Sequence, residues 1–212
     1  NAEVGLAATL RSVAEAEELI VIDGGSEDAT VRLARSAGAR VGESTRGRGQ
    51  QMRAGADMAT QDWLLFLHAD TILALDWRTH VDAHACKANA AATVGVFRFK
   101  LDDEAWQARV LEFLVALRVF LFALPYGDQG LLIHRSLYAA LGGFRPLPLM
   151  EDVDFVRRIG RRRLRTLACT ATTSARRWRE DGWLTRSARN VVCLTLFSAG
   201  APIERIARLY GR

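Results

Sequence analysis

Leu19-Ile20-Val21-Ile22-Asp23-Gly24-Gly25-Ser26 is the stretch on which the fold turns. Four apolar residues followed by an acid, two glycines and a serine describe a short buried strand that ends in a tight turn. Asp28 then opens a helical pattern through Val31, Leu33 and Ala34. Glycine lets the backbone reverse sharply, and Ser26 and Asp28 suit the capping of the following helix. A strand, an acid-bearing turn and a helix are the first half of a βαβ unit.

The pattern repeats outward. Arg40-Val41-Gly42 predicts a second strand and residues 49–60 a helix. Trp63-Leu64-Leu65-Phe66-Leu67 predicts a buried strand ended by His68-Ala69-Asp70. A helix over 77–89 and a strand over 92–101, carrying Val94, Val96, Phe97 and Phe99, complete the first half. Such alternation predicts an α/β fold with a mainly parallel central sheet flanked by helices. Ligands of such sheets bind beyond the carboxyl ends of the strands. Both acid-bearing turns are therefore expected at one sheet edge.

The second half reads differently. Residues 104–124 predict a long apolar helix, and 127–133 a strand. Gly142-Gly143-Phe144 stops a short helix. Residues 151–163 predict a helix ending in a dense arginine cluster, 164–171 a strand, and 183–200 and 202–209 terminal helices, the last opened by Pro202.

Composition excludes several classes. A chain of 212 residues suffices for one domain. Half its residues are hydrophobic and its net charge is only +5, which excludes disorder. The most apolar stretch is broken by Arg109, Glu112 and Arg118, so no uncharged run reaches the ~18 residues of a membrane span. Three cysteines without a CxxC pair point to reduced thiols in a cytoplasmic protein. Residues 1–106 hold 11 basic and 16 acidic side chains, whereas 107–212 hold 18 and 8. The basic second half is expected to meet something anionic.

Four segments carry chemistry. A carboxylate at Asp23 can accept hydrogen bonds from a ribose or base edge. Asp70, at a strand end, suits Mg²⁺ or Mn²⁺, ions that take one or two protein carboxylates plus substrate phosphate oxygens. Arg46-Gly47-Arg48-Gly49-Gln50-Gln51-Met52-Arg53 interleaves glycine with guanidinium groups that can reach phosphates. Met150-Glu151-Asp152-Val153-Asp154 opens a helix whose Phe155, Val156 and Ile159 face inward. Its acids suit a helix N-terminus, and equally a general base at a cleft. Each segment also fits a purely structural role: a capped turn, an exposed strand end, a solvated loop, a helix start.

In combination these segments resemble glycosyltransferase family 2, with its nucleotide-diphospho-sugar (GT-A) fold. Asp23-Gly24-Gly25-Ser26 is similar to the family's nucleoside-holding turn, His68-Ala69-Asp70 falls where its D-x-D metal motif stands, and Glu151-Asp152 is similar to its E-D motif. Finer likeness comes from Phe66-Leu67-His68-Ala69-Asp70-Thr71, the run Arg46 to Gln51, Gly127-Asp128-Gln129-Gly130 and Arg176-Arg177-Trp178. These resemble a bacterial subfamily associated with radical-SAM/selenodomain proteins, of the arsenosugar-biosynthesis type.

The resemblance implies an inverting transferase that moves a sugar from a nucleotide-diphosphate sugar to an acceptor hydroxyl by metal-assisted direct displacement. It implies Asp152 as catalytic base and Asp70 as ligand of a divalent metal, Mg or Mn. It implies donor contacts from Asp23, Gly24, Ser26, Arg46, Arg48, Arg53, His68 and Arg177. Acceptor contacts would come from Asp128, Gln129, Glu151 and Trp178. His68 stands in place of the first acid of D-x-D. The family's opening strand, apolar residues then P-x-x-N-E, is expected to be missing, with Asn1-Ala2-Glu3 as its remnant. The domain is then one unit over 1–212: a nucleotide-sugar-binding half (1–101), an acceptor and catalytic half (102–180) and a C-terminal helical segment (181–212).

Two other classes compete. A nucleotidyltransferase shares the fold type and a metal-binding Asp, but residues 1–20 hold no G-x-G-T-R loop. A non-catalytic binder of membrane or nucleic acid would use the basic half. Nucleic acid is disfavoured, because Phe155 is the only aromatic near the arginines at 157, 158, 161, 162, 163 and 165. Residues 104–124 are apolar nearly all round, which with the basic half predicts peripheral contact with an anionic membrane, at the inner face of the cell membrane.

Overall fold

The computed structural model describes residues 1–211; Arg212, the last residue of the predicted 181–212 segment, lies outside the described residues. The chain opens with α1 (Glu3–Ser12), which the sequence reading did not anticipate. Its inward stripe is Leu6, Leu10 and the following Val13, spaced i, i+4, i+7. β1 (Ile20–Asp23), α2 (Thr30–Ser36) and β2 (Arg40–Glu43) form the predicted βαβ unit, and the two strands pair in parallel. Ala29 stands at the N-cap of α2, and Asp28, expected to cap the helix, lies one residue earlier with its Oδ1 accepting the Thr30 N–H at 3.0 Å. α3 (Arg48–Met58), β3 (Trp63–Phe66), β4 (Thr71–Leu73), α4 (Trp77–Ala85) and β5 (Val94–Leu101) follow.

The second half continues with α5 (Trp106–Phe122), β6 (Leu131–His134), α6 (Arg135–Ala140), α7 (Glu151–Ile159), β7 (Leu164–Thr173), α8 (Arg176–Asp181), α9 (Trp183–Ser198) and α10 (Ile203–Tyr210). Two predicted elements are shortened by glycine. Gly130 ends a single 3₁₀ turn over Gly127–Gln129, so Asp128 and Gln129 precede the strand and do not belong to it. Gly160, at φ 77°, stops α7 before the arginine cluster.

The main sheet has the order β3-β6-β5-β7-β4. The α/β class and the flanking helices agree with the sequence, but the sheet is mixed and not mainly parallel. Only β1–β2 and β5–β7 pair in parallel; β3–β6, β5–β6 and β4–β7 are antiparallel. Helices cover the sheet on both faces, so its strands are apolar runs whatever their direction, and hydropathy cannot reveal that direction.

β1 and β2 form a separate two-stranded sheet. Helices join it to the larger one. α1 packs on α2 and along β4, and α3 packs on β1 and β2. From α3, Met52 and Ala56 reach the core containing Leu64, Val94, Ile133 and Phe155. Within that core Phe66, Tyr138, Phe144 and Phe155 form a ring cluster, the closest pair, Phe144 and Phe155, with centroids 4.5 Å apart. This cluster is the floor on which the candidate site rests.

Candidate active site

Three acid-bearing segments gather at one end of the molecule. At the end of β1, the Asp23 Oδ2 accepts the N–H groups of Gly25 and Ser26, each at 2.9 Å. Burial works against the charged form of Asp23, but these bonds and the Ser26 hydroxyl outweigh it and hold the carboxyl below its usual range. Gly24 lies against the α3 entry: a Cβ there would stand 3.2 Å from Gln51 Nε2 and 3.5 Å from Arg46 Cα. Gln51 Nε2 in turn donates to the Ile22 carbonyl at 2.9 Å. The two donor-side motifs, 23–26 and 46–51, are therefore one packed unit.

The β3–β4 turn carries His68 and Asp70. α1 grips this turn: Thr9 Oγ1 donates to the Ala69 carbonyl at 3.0 Å, and the Leu73 N–H donates to Ser12 Oγ at 3.2 Å. The first residues of α1 also hold the other turn, the Ala2 N–H donating to Thr30 Oγ1 at 2.7 Å. An unforeseen helix thus sets the spacing between the two acid-bearing turns.

The third segment is the start of α7, packed against Gly127. Asp152 Oδ2 accepts the Gly127 N–H at 2.9 Å, and its Oδ1 accepts the Val153 N–H at 2.7 Å. Met150, just before, takes left-handed backbone at φ 62°, uncommon for a residue with a Cβ and frequent at functional sites. Gly127 touches both partners. A Cβ there would lie 2.4 Å from His68 Nε2, so the imidazole occupies the space of a side chain. An apolar pocket opens at this junction, lined by Met52, Phe66, His68, Tyr126, Phe144 and Asp152.

Asp128 sits among the other charges. Burial pushes its carboxyl up to about 6; Arg118 and Arg48 pull it back, while Asp152 and Asp70 push it further. Its Oδ1 is enclosed without a hydrogen-bond partner. Three carboxylates and two guanidinium groups therefore share one electrostatic neighbourhood. A carboxyl raised in the folded state binds more protons there than in the unfolded chain between about pH 4 and 6. Its contribution to stability is complete below the unfolded pKa and is lost as pH rises through the folded one. Denaturant unfolding should show the stability of the wild type relative to Asp128→Asn falling between pH 4 and pH 7.

The remaining predicted residues divide clearly. Arg48, at the start of α3, faces the carboxylates; Arg53, exposed, bears on the Tyr138 phenol instead. Arg46 is exposed at the entrance. Gln129 is buried and its Nε2 donates to the Phe97 carbonyl at 3.0 Å, a clamp between the 3₁₀ turn and β5. Glu151 is 1% exposed and packs under α3, where a Cβ on Gly49 would be 3.2 Å from its own Cβ. Asp154 is held by Arg145 at 3.0 Å and Arg158 at 2.7 Å. Trp178 packs with Leu101, Ala108 and Ala175 under α5, and Arg177 is half-buried beside it on α8. Gln129, Glu151 and Trp178, expected as acceptor contacts, all have packed positions in the fold.

Sequence reasoning missed Tyr126 and Arg118. The Arg118 guanidinium lies 3.5 Å over the Tyr126 ring and donates to the Leu124 carbonyl at 2.9 Å. A charged residue inside an apolar helix was the available signal. Among the described residues no three His, Cys, Asp or Glu side chains are grouped to enclose a metal. Asp70 would then contribute one ligand, an arrangement suited to Mg²⁺ or Mn²⁺ held jointly with phosphate oxygens.

This is the GT-A fold, a nucleotide-sugar-transferase architecture with its cleft beyond the strand ends. Solved structures that share it include S. aureus TarS 1-349 in complex with UDP-GlcNAc, at 15% identity and TM-score 0.61, over 82% of this chain and 55% of that one. Glucosyl-3-phosphoglycerate synthase from Mycobacterium tuberculosis, solved with Mn²⁺ and UDP-glucose, matches at 20% identity and TM-score 0.62, over 93% of this chain and 77% of that one. The same synthase with phosphoglyceric acid gives 19% and 0.63, over 95% and 78%. Residues 1–148 match the family described as Glycosyl transferase family 2, and the chain belongs to that family.

Proposed function

We propose that the protein transfers a sugar from a nucleotide-diphosphate sugar to an acceptor hydroxyl with inversion at the anomeric carbon. The observation that carries this reading is the Asp152 carboxylate, fixed by two backbone N–H groups at the rim of an apolar pocket beside Asp70, Asp128 and Arg48. A carboxylate has about four acceptor positions, so Asp152 keeps capacity for an acceptor O–H. Asp152 takes that proton as the oxygen attacks, and the nucleotide diphosphate leaves from the opposite face. Direct displacement of this kind inverts configuration. Arg48 and Arg46 face the departing diphosphate, and Asp23 with Ser26 holds the nucleoside end.

The residues present fit a divalent cation, since Asp70, Asp128 and Asp152 concentrate negative charge next to the expected diphosphate. Bound through Asp70, such an ion would act as a Lewis acid that neutralises the leaving group. The complexes of TarS with UDP-GlcNAc and of the synthase with UDP-glucose and Mn²⁺ support uridine diphosphate sugars as the first donors to test. The motifs at 46–51, 66–71, 127–130 and 176–178 support placement in the radical-SAM-associated bacterial subfamily.

Thermal shift with a panel of nucleotide-diphosphate sugars, with and without Mn²⁺, tests the donor site. A donor at a hundredfold excess over its Kd raises stability by ~2.7 kcal/mol. Asp23→Ala should weaken every nucleotide that shifts the wild type, and Asp70→Asn should abolish only the Mn²⁺-dependent part of the shift. Unchanged titrations in both variants would remove these residues from the site. Product analysis showing a sugar nucleotide formed, and not consumed, would instead favour a nucleotidyltransferase.

A further inference from the structure

Two helices present apolar faces to solvent. On α5 only Ala108 and Val115 are buried. The opposite stripe holds Trp106, Phe113 and Phe120, exposed by 70, 66 and 72%. At 1.5 Å per residue that stripe is ~21 Å long. On α9, Leu184 and Val191, seven residues apart, are 87% and 63% exposed.

The two helices are anchored in the same two places. At their N-terminal ends Ala108, Leu111, Trp178 and Trp183 share one cluster. At their C-terminal ends Arg161 donates to the Phe120 and Leu121 carbonyls at 3.0 and 2.9 Å, while Arg157 donates to Ser198 and lies 5.4 Å over the Phe197 ring. Arg157 and Arg161 are four residues apart, so α5 and α9 run the same way across one side of the molecule.

Beside those C-terminal ends stand Arg157 and Arg161, and Arg162 follows Arg161 in the same 3₁₀ turn. Among the described residues none of the three has a carboxylate partner; Arg161 meets backbone carbonyls. At the other end of α5, Asp103 pairs with Arg179 and Glu112 with Arg109, while Glu104 is exposed. The arginine-bearing end of this face therefore carries positive charge that no carboxylate among the described residues pairs with, which complements an anionic surface. No helix among the described residues is long and apolar enough to cross a membrane.

We propose that this face docks on an anionic lipid bilayer. The α5 stripe lies in the interfacial plane, with its aromatic rings at the acyl boundary, and Arg157, Arg161 and Arg162 reach headgroup phosphates. An apolar, aromatic helix face with arginines at its edge and no acceptor groups to satisfy matches the chemistry of that interface.

Vesicle flotation of the full chain tests it, using phosphatidylcholine alone and phosphatidylcholine with phosphatidylglycerol, at low and high salt. The wild type should float only with the anionic vesicles, and less at high salt. Phe113→Glu with Phe120→Glu should abolish flotation. Arg161→Ala with Arg162→Ala should lower the membrane partition coefficient about fivefold per arginine removed. All four side chains are exposed, and an unchanged thermal melt will show that the variants fold; should the glutamate pair unfold, the arginine pair decides. Absence of flotation at low salt would overturn the proposal, as would equal binding to neutral vesicles. A dimer in light scattering that the glutamate pair converts to monomer would assign the face to a second copy and overturn it equally.

Discussion

Asp152→Asn should lower turnover by ~10²–10⁴-fold, the usual cost of losing a general base, with donor binding nearly unchanged. The amide keeps the shape of the carboxylate and one oxygen for the Gly127 N–H, which now reaches Asp152 Oδ2 at 2.9 Å. What it loses is the capacity to take a proton. Asp154→Asn is the internal control. Its carboxylate is spent on Arg145 and Arg158, so that substitution should cost stability and leave turnover within a small factor. Steady-state kinetics, with donor affinity measured separately, checks both. Retention of most activity in Asp152→Asn would move the base to another carboxylate, with Asp128 next to be tested. A product that keeps the donor's anomeric configuration would refute direct displacement altogether.

Gly49→Ala should be the most damaging small substitution in the chain. A Cβ at this position would lie 2.2 Å from the Arg145 carbonyl oxygen and 3.2 Å from Glu151 Cβ. The first contact is with backbone, which cannot rotate away as a side chain can. Overpacking typically costs ~1–3 kcal/mol, and a clash with fixed backbone belongs at or above the upper end. Urea unfolding should show a lowered midpoint with an unchanged slope. The effect should also reach the site, because Gly49 lies between the first turn of α3, which carries Arg48, and the start of α7, which carries Asp152. Nucleotide affinity should fall in the residual folded protein. An alanine variant of wild-type stability would mean that α3 and α7 are not in this close register.

Legibility in the sequence followed the strength of local signals. The unit around Asp23 was readable because a β-branched run, two glycines and a capping acid agree with one another over ten residues. Asp23, Asp70 and Asp152 could be placed near one cleft because each follows a strand or opens a helix, and α/β chemistry concentrates at those ends. α1 was not readable, since its apolar stripe is interrupted by alanine and threonine and its partners, Ala34 and the β3–β4 turn, are remote in sequence. Strand direction was not readable either, for β3 and β6 would look the same if reversed. The arginine-glycine alternation at 46–49 was read as a phosphate cradle or a solvated loop. The structure adds a packing reason for Gly49, one invisible without Arg145. The different burial of Glu151 and Asp152 was not readable because adjacent acids look alike in a sequence, while the helix turns one into the core and leaves the other at the rim.

The separation of β1 and β2 from the larger sheet has a bearing on how the molecule opens. Because no backbone ladder among the described residues crosses between the sheets, the layer formed by β1, α2 and β2 is secured by helix packing and side-chain hydrogen bonds, whereas β5 and β7 share a ladder from Val94 to Leu101. Cooperative units of different local stability are the expected result. Amide hydrogens of β1 and β2 should exchange through an opening that leaves those of β5 and β7 protected. The Asp23 turn rides on the weaker unit, so a nucleotide held at that turn, as proposed, should slow exchange in β1 and β2 far more than in the rest of the protein.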